Sequence, residues 1–147
     1  MYKKASMKDL GLIKSCVISA FSPYIPMIGK EPGPMKEDYE QALQCDEIWL
    51  CYDGELMEGF IYLIRAKDHL IFEVLAVNPE CQGRGIGKKL VAFGEEKALE
   101  YGYHNIEVLT NEAFAVPQIL YSRCGYFEYK RGLEDGYQRI YYRKTLV

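Results

Sequence analysis

The chain has 147 residues, of which 49% are hydrophobic and 27% are charged. This length is enough for one domain with a hydrophobic core and short for two, so we expect a single domain over residues 1–147. The formal net charge of −3 excludes the strongly basic balance of proteins that bind nucleic acids non-specifically, and we expect no nucleic-acid partner.

Five cysteines are spread along the chain without a Cys-x-x-Cys pair. This spacing favours reduced thiols over a disulfide framework or a zinc site, and His69 and His104 have no third ligand nearby, so no metal is expected. The charged residues from Met1 to Ser15 lack the apolar core of a signal peptide, and no apolar stretch of membrane length follows. We therefore expect a cytoplasmic protein without a membrane partner.

The first third of the chain predicts two helices separated by a loop. After a short strand over Met1–Ala5, Ser6 caps a helix whose apolar residues recur at helical spacing through Phe21. The segment Ser22–Pro34 contains four prolines and two glycines and predicts an irregular loop. Long loops with apolar residues are often functional, and a second helix over Lys36–Gln44 follows.

The remaining elements predict a mixed sheet. They are a hairpin formed by Ile48–Tyr52 and Gly59–Arg65, a buried strand over Leu70–Val77, a helix over Gly85–Tyr101, a strand over Ile106–Thr110, a short helix over Pro117–Arg123, and a closing hairpin formed by Tyr126–Lys130 and Gln138–Arg143. The strand, helix and strand in the middle form one right-handed βαβ unit. We therefore expect an α+β fold with a mixed, mostly antiparallel central sheet, a parallel pair at its centre and flanking helices.

A glycine-rich turn, Gln82–Gly87, joins the buried strand to the longest helix. Its glycines leave backbone N–H groups accessible, because no Cβ atoms surround them, and these groups lie at the positive end of a helix. This arrangement predicts a site for the phosphates of a cofactor. The Walker loop does not fit, because Gln82 and Lys89 stand where glycine and serine or threonine are needed. A dinucleotide-binding fingerprint fails as well, since Lys88 and Leu90 occupy the positions of its third small residue.

The spacing that fits is Gln-x-x-Gly-x-Gly, formed by Gln82, Gly85 and Gly87. With this motif the sequence resembles the GNAT superfamily of N-acetyltransferases, which bind the acetyl-CoA pyrophosphate in such a loop. The resemblance continues through Leu75–Pro79 and Leu120–Tyr126, and with the strand order it covers nearly the whole chain. It implies a GNAT-like fold and acetyl-CoA as the acetyl donor.

The resemblance also implies which residues bind the cofactor. Backbone groups of one strand would align the pantetheine arm, and the glycine turn, helped by two basic side chains, would bind the pyrophosphate. The candidates are Leu75, Ala76, Val77, Gln82, Gly83, Arg84, Gly85, Ile86, Gly87, Lys88 and Asn111. Of these, Asn111 lies farther from Tyr121 than is most common in the family.

Two side chains are candidate catalytic groups in a direct transfer of the acetyl group to a primary amine. Glu73 matches a family position that often holds a base, and an apolar strand should raise its pKa. Because it precedes Leu75 by two residues, we expect both side chains on one face. Tyr121 matches the family's tyrosine, which protonates the leaving thiolate.

The acceptor is expected to be a small-molecule or peptide amine, bound beside the proline-rich loop. Nine acidic residues and one basic residue lie between Glu31 and Glu58, which would attract cationic amines or simply form a solvated face. Alternatives are a non-catalytic CoA-binding module of the same fold and a Rossmann-like nucleotide binder. Homodimers are common in the family, and an exposed final strand offers a pairing edge.

Overall fold

The computed structural model describes residues 1–147 and contains one seven-stranded sheet with the strand order β1-β2-β3-β4-β5-β7-β6. The strands are β1 (Tyr2–Lys4), β2 (Glu47–Asp53), β3 (Leu56–Arg65), β4 (Leu70–Val77), β5 (Asn105–Asn111), β6 (Phe127–Glu134) and β7 (Tyr137–Thr145). Only β4 and β5 are parallel, so the expected mixed sheet is confirmed. The final strand, β7, lies between β5 and β6, so the expectation that it offers an exposed pairing edge is wrong. Strand β6 is the edge strand instead, and a homodimer stays a prediction.

Five helices flank the sheet: α1 (Leu10–Phe21), α2 (Ile25–Ile28), α3 (Tyr39–Cys45), α4 (Ile86–Glu100) and α5 (Ala115–Arg123). One buried cluster, which includes Leu90 and Tyr121, joins α4 and α5 to one face of the sheet. A second cluster, which includes Ile13 and Tyr39, joins α1 and α3 to the opposite face. The sheet is therefore covered on both faces, as its apolar central strand predicts.

The parallel pair that anchors the βαβ unit is short. Residues Leu70–Phe72 of β4 pair with Ile106–Val108 of β5, and beyond them the two strands have no paired residues. Helix α4 crosses between them and lies close to the sheet at Gly94, where an added Cβ would sit 2.5 Å from a ring atom of Phe72. The C-terminal half of β4 thus keeps one edge without a strand partner.

A bulge in β4 lies where the parallel pairing ends. In β3, Leu63 pairs with Phe72 and Tyr62 pairs with Val74, so Glu73 is the extra residue without a partner opposite. Leu75 then packs with the core under α4, and Val74 with the core under α1. The charge neighbours of Glu73 belong to the α1 and α3 side, so the expectation that Glu73 and Leu75 share a face is wrong.

The proline-rich segment is more regular than its composition predicts. It contains a short turn of helix at Ser22–Tyr24, helix α2, and a third turn at Gly33–Lys36. Each of them has a proline within its first two positions, where a missing N–H costs no helical hydrogen bond. Helix α3 begins at Tyr39, rather than Lys36, because Asp38 caps it by accepting from the Gln41 amide at 3.1 Å.

One helical stretch, Met7–Ile28, is long and apolar enough to cross a membrane by length and composition, with 22 residues and a mean hydropathy of 1.3. The expectation that no apolar stretch of membrane length is present is therefore wrong on those two measures. Within the fold, Ile13, Val17 and Phe21 of this stretch are buried against the sheet. The cytoplasmic location stays a prediction.

Candidate active site

A groove of about 590 Å³ runs along the glycine turn and the start of α4. Gly83 and Gly85 have φ angles of +82° and +75°, a left-handed conformation that favours glycine. A Cβ at Gly87 would lie 3.1 Å from Leu120 Cδ2, at the wall of the groove. Its lining includes most of the predicted cofactor residues: Leu75, Ala76, Val77, Gln82, Gly83, Gly85, Ile86, Gly87 and Lys88.

The floor of this groove is the unpaired edge of β4. Leu75, Ala76 and Val77 pair with β3 on one side only, because β5 has already diverged. Their outward backbone groups can bond an extended ligand as a further strand would. Arg84 is exposed and does not line the groove.

A smaller cavity of about 110 Å³ lies next to the groove. It is lined by both predicted catalytic residues, Glu73 and Tyr121. Three residues, Phe21, Leu75 and Pro117, line the cavity and the groove alike, so the two spaces meet at the point where β4 and β5 separate. A reacting centre held at Leu75 would therefore be reachable from both sides.

Glu73 is half-buried in this cavity, and burial is the main cause that raises the pKa of its carboxyl group. The negative charge of Glu37 raises that pKa further, while the guanidinium of Arg139 lowers it. Burial also raises the pKa of Glu37, which faces the charges of Asp38 and Asp46. A carboxylate with a raised pKa accepts a proton more readily near neutral pH.

Tyr121 is 4% exposed, and its hydroxyl makes no hydrogen bond within the chain. Burial raises the pKa of this phenol, with smaller contributions from Cys124 and Tyr142. The side chain therefore stays protonated at neutral pH. A phenol that lines the cavity and has no internal partner is able to donate to a group that enters the cavity.

Asn111 lies beside the groove, at the end of β5, and its role in cofactor binding stays a prediction. It lines the cavity and not the groove, and its Oδ1 accepts a hydrogen bond of 2.8 Å from the Ala113 amide. This local turn at the end of β5 occupies the acceptor atom of the side chain.

Two charged residues of the cavity were missed by sequence reasoning. Glu37 lies between the turn at Gly33–Lys36 and α3, and Arg139 lies in β7. Arg139 is 16% exposed and forms ion pairs with Glu134 at 2.8 Å and Asp135 at 3.5 Å. The acidic segment gave a signal for Glu37, but nothing in the pattern of β7 distinguished Arg139.

Comparison with known proteins identifies the family. A sequence model described as the acetyltransferase (GNAT) domain matches residues 44–128. The uncharacterized N-acetyltransferase YvbK of Bacillus subtilis is 29% identical over 94 residues, which cover 63% of this chain and 61% of that protein. The aligned part is thus about three fifths of that relative's length.

Solved structures share the fold over the whole chain. An acetyltransferase of Bacillus subtilis in complex with CoA has a TM-score of 0.77 and 18% identity, covering 99% of this chain and 98% of its own. The PaiA N-acetyltransferase of Thermoplasma acidophilum in complex with coenzyme A has a TM-score of 0.81 and 16% identity, with the same coverage. At these identities the likeness concerns the fold, and the match to residues 44–128 shows that the chain belongs to the GNAT acetyltransferase family.

Proposed function

We propose that this protein is an acetyl-CoA-dependent N-acetyltransferase that transfers the acetyl group directly to a primary amine. One observation carries the proposal: Glu73 and Tyr121 line a single cavity that meets the groove of the glycine turn at Leu75. A base and an acid on either side of a bound thioester are what direct transfer to an amine needs.

In this proposal the groove binds acetyl-CoA. The amides from Gly83 to Gly87 and the positive end of α4 bind the pyrophosphate, with Lys88 beside them. The pantetheine arm lies along the unpaired edge from Leu75 to Val77, which brings the thioester to the cavity. The CoA complexes of two structural relatives support this placement.

In this mechanism, the groups of the site account for each proton transfer. Glu73 removes a proton from the acceptor ammonium, and the neutral amine attacks the thioester carbonyl. A backbone N–H near Leu75 stabilises the negative charge that develops on the carbonyl oxygen. The tetrahedral intermediate loses the CoA thiolate, which takes a proton from Tyr121, and the new amide releases its second proton to solvent. Proton exchange with solvent then restores the Glu73 carboxylate and the Tyr121 phenol. The products are the N-acetylated amine and CoA.

The test is a free-thiol release assay with acetyl-CoA and a panel of primary amines. We expect thiol release that depends on the amine, together with an acetylated product of the expected mass. Tight binding of acetyl-CoA without turnover on any amine would contradict the proposal and favour a non-catalytic CoA-binding module. Binding of NAD without binding of CoA would favour a nucleotide binder instead.

A further inference from the structure

The cavity that contains Glu73 is acidic at one side and apolar over most of the rest. Glu37 and Glu73 both line it, and the charge of Glu37 is felt at Glu73. The apolar and aromatic part of the lining comprises Phe21, Pro34, Phe72, Leu109, Phe114 and Tyr137. A ligand that fits this space carries its polar group at the carboxylate side and an apolar body towards the rings.

The charges of the cavity favour a cation. Arg139 is the basic residue of the lining, and its guanidinium is already paired with Glu134 and Asp135 at 2.8 and 3.5 Å. The two cavity carboxylates have no ion-pair partner within 4.0 Å. An ammonium group between them would relieve their repulsion, whereas a carboxylate would add to it.

The size of the cavity limits the acceptor. Its volume of about 110 Å³ is smaller than that of an apolar cavity of roughly 150 Å³ that holds benzene. Beside the cavity, the proline-rich segment is tied to the closing hairpin, because Lys30 Nζ donates to the Gly136 carbonyl and the Tyr137 hydroxyl donates to the Glu31 carbonyl at 2.6 Å. A peptide or a long polyamine would have to displace these contacts.

Tyr121 provides an independent sign that a ligand enters here. It is 4% exposed, it lines the same cavity, and its hydroxyl has no partner in the chain. Because no buried side-chain oxygen of the chain lacks a hydrogen-bond partner, this unpartnered hydroxyl is accessible from the cavity and is free to bond a group that enters it.

We propose that the acceptor is a short alkyl monoamine without a carboxylate, and that Glu37 selects it by binding the ammonium group while Glu73 accepts a proton. The inference rests on the proposed function and specifies its substrate class. Glu37 contributes to binding of the acceptor and not to the chemical step. The aromatic side chains of the cavity exclude an acceptor that carries a second charge at its far end.

The test compares three probes in the thiol release assay: isobutylamine, valine and putrescine. Valine is isobutylamine with a carboxylate added, and putrescine carries a second ammonium group. For the unaltered protein we expect kcat/KM for isobutylamine to exceed the values for valine and putrescine by about 10-fold or more. The reason is that the carboxylate of valine or the second ammonium group of putrescine would be buried without a partner of opposite charge.

Three variants test whether Glu37 selects the acceptor or only supports the structure of the site. Glu37→Gln should raise the KM for isobutylamine about 10-fold with a small change in kcat, and should reduce the discrimination against valine. Glu37→Asp keeps the charge and should keep that discrimination. Glu40→Gln removes an exposed charge of α3 outside the cavity and should change neither value.

The outcomes distinguish this inference from the proposed function. Equal or better use of valine, putrescine or a peptide N-terminus by the unaltered protein would overturn the substrate class while leaving acetyl transfer intact. A Glu37→Gln variant that loses kcat and keeps both KM and discrimination would overturn the role of Glu37. No thiol release with any amine would overturn both proposals together.

Discussion

At the scale of single residues, the chemical character of Glu73 comes from its place in a strand bulge. The bulge turns its carboxylate towards Glu37, and burial together with this charge raises its pKa above the ordinary value of 4.5. As the base it must be deprotonated, so kcat should rise with pH through a pKa above that value. Glu73→Gln should lower kcat by at least about 100-fold and remove this rise.

The measurement is a pH–rate profile at saturating acetyl-CoA and amine, with Glu40→Gln as a matched control on the exposed face of α3. The control should keep the full profile. An unchanged profile in Glu73→Gln would show that another group removes the proton.

The hydroxyl of Tyr121 can be removed with little effect on the fold. Its ring packs at 5.9 Å from those of Tyr126 and Tyr142, contacts that phenylalanine preserves, and the hydroxyl has no internal hydrogen bond to lose. Tyr121→Phe should therefore lower kcat by about 10- to 100-fold with the melting temperature and the Kd for acetyl-CoA nearly unchanged. Calorimetric titration beside steady-state kinetics checks this, and a matching loss of affinity would place the hydroxyl in cofactor binding instead.

Sequence reasoning reached these two residues by different means. Glu73 stood out as the one charge in an apolar strand, and Tyr121 through the resemblance of its surrounding motif. Glu37 was indicated only as one acid of an acidic segment, and Arg139 was not indicated at all, because the two meet in the cavity through tertiary contacts between segments about a hundred residues apart. A pattern within one element carries no information on such a contact.

At the scale of elements, periodicity predicted where strands and helices lie but not how β4 is paired. The apolar run of Leu70–Val77 predicts a buried strand, whereas the bulge depends on the register with β3. Likewise, the four prolines of Ser22–Pro34 were interpreted as signs of an irregular loop, although three of them lie in the first two positions of a helical turn. Local composition does not decide between these two uses of proline.

The glycine turn allows a direct test of the cofactor groove. A side chain at Gly87 would press on Leu120 and project into the groove, so Gly87→Val should weaken acetyl-CoA binding about 10-fold, a loss of about 1.4 kcal/mol. Gly11→Val is the matched control, because a Cβ at this helical glycine of α1 meets nothing within 4 Å. Unaltered affinity in Gly87→Val would place the phosphates elsewhere.

At the scale of the whole molecule, a polar cluster around Glu47 links the C-terminal end of α4 to the first hairpin. Glu47 is 8% exposed and accepts from Trp49 Nε1 at 3.1 Å and from the Tyr101 hydroxyl at 2.5 Å. Arg65 adds an ion pair at 2.7 Å and stacks on the Tyr101 ring at 3.5 Å. Residues of β2, β3 and the end of α4 thus converge on one carboxylate.

This cluster makes stability depend on pH with a definite sign. Burial alone would raise the pKa of Glu47, but the hydrogen bonds from Tyr101, Trp49 and Arg65 and the charge of Arg65 lower it below 4.5. A lowered pKa contributes stability that is present above the unfolded value and lost as pH falls through the folded value. The ionised carboxylate therefore stabilises the fold at neutral pH and stops doing so in acid.

Glu47→Gln should accordingly reduce the free energy of unfolding by about 1–3 kcal/mol at neutral pH, because it removes the charge and one acceptor oxygen from several donors. The deficit should shrink as the pH falls through the lowered pKa of Glu47, because the carboxyl group of the unaltered protein is then protonated as well. Urea unfolding at neutral and at acidic pH measures both, with Glu96→Gln on the exposed side of α4 as a control that should show no deficit. A deficit equal at both pH values would mean that the shape of the side chain, and not its charge, holds these elements together.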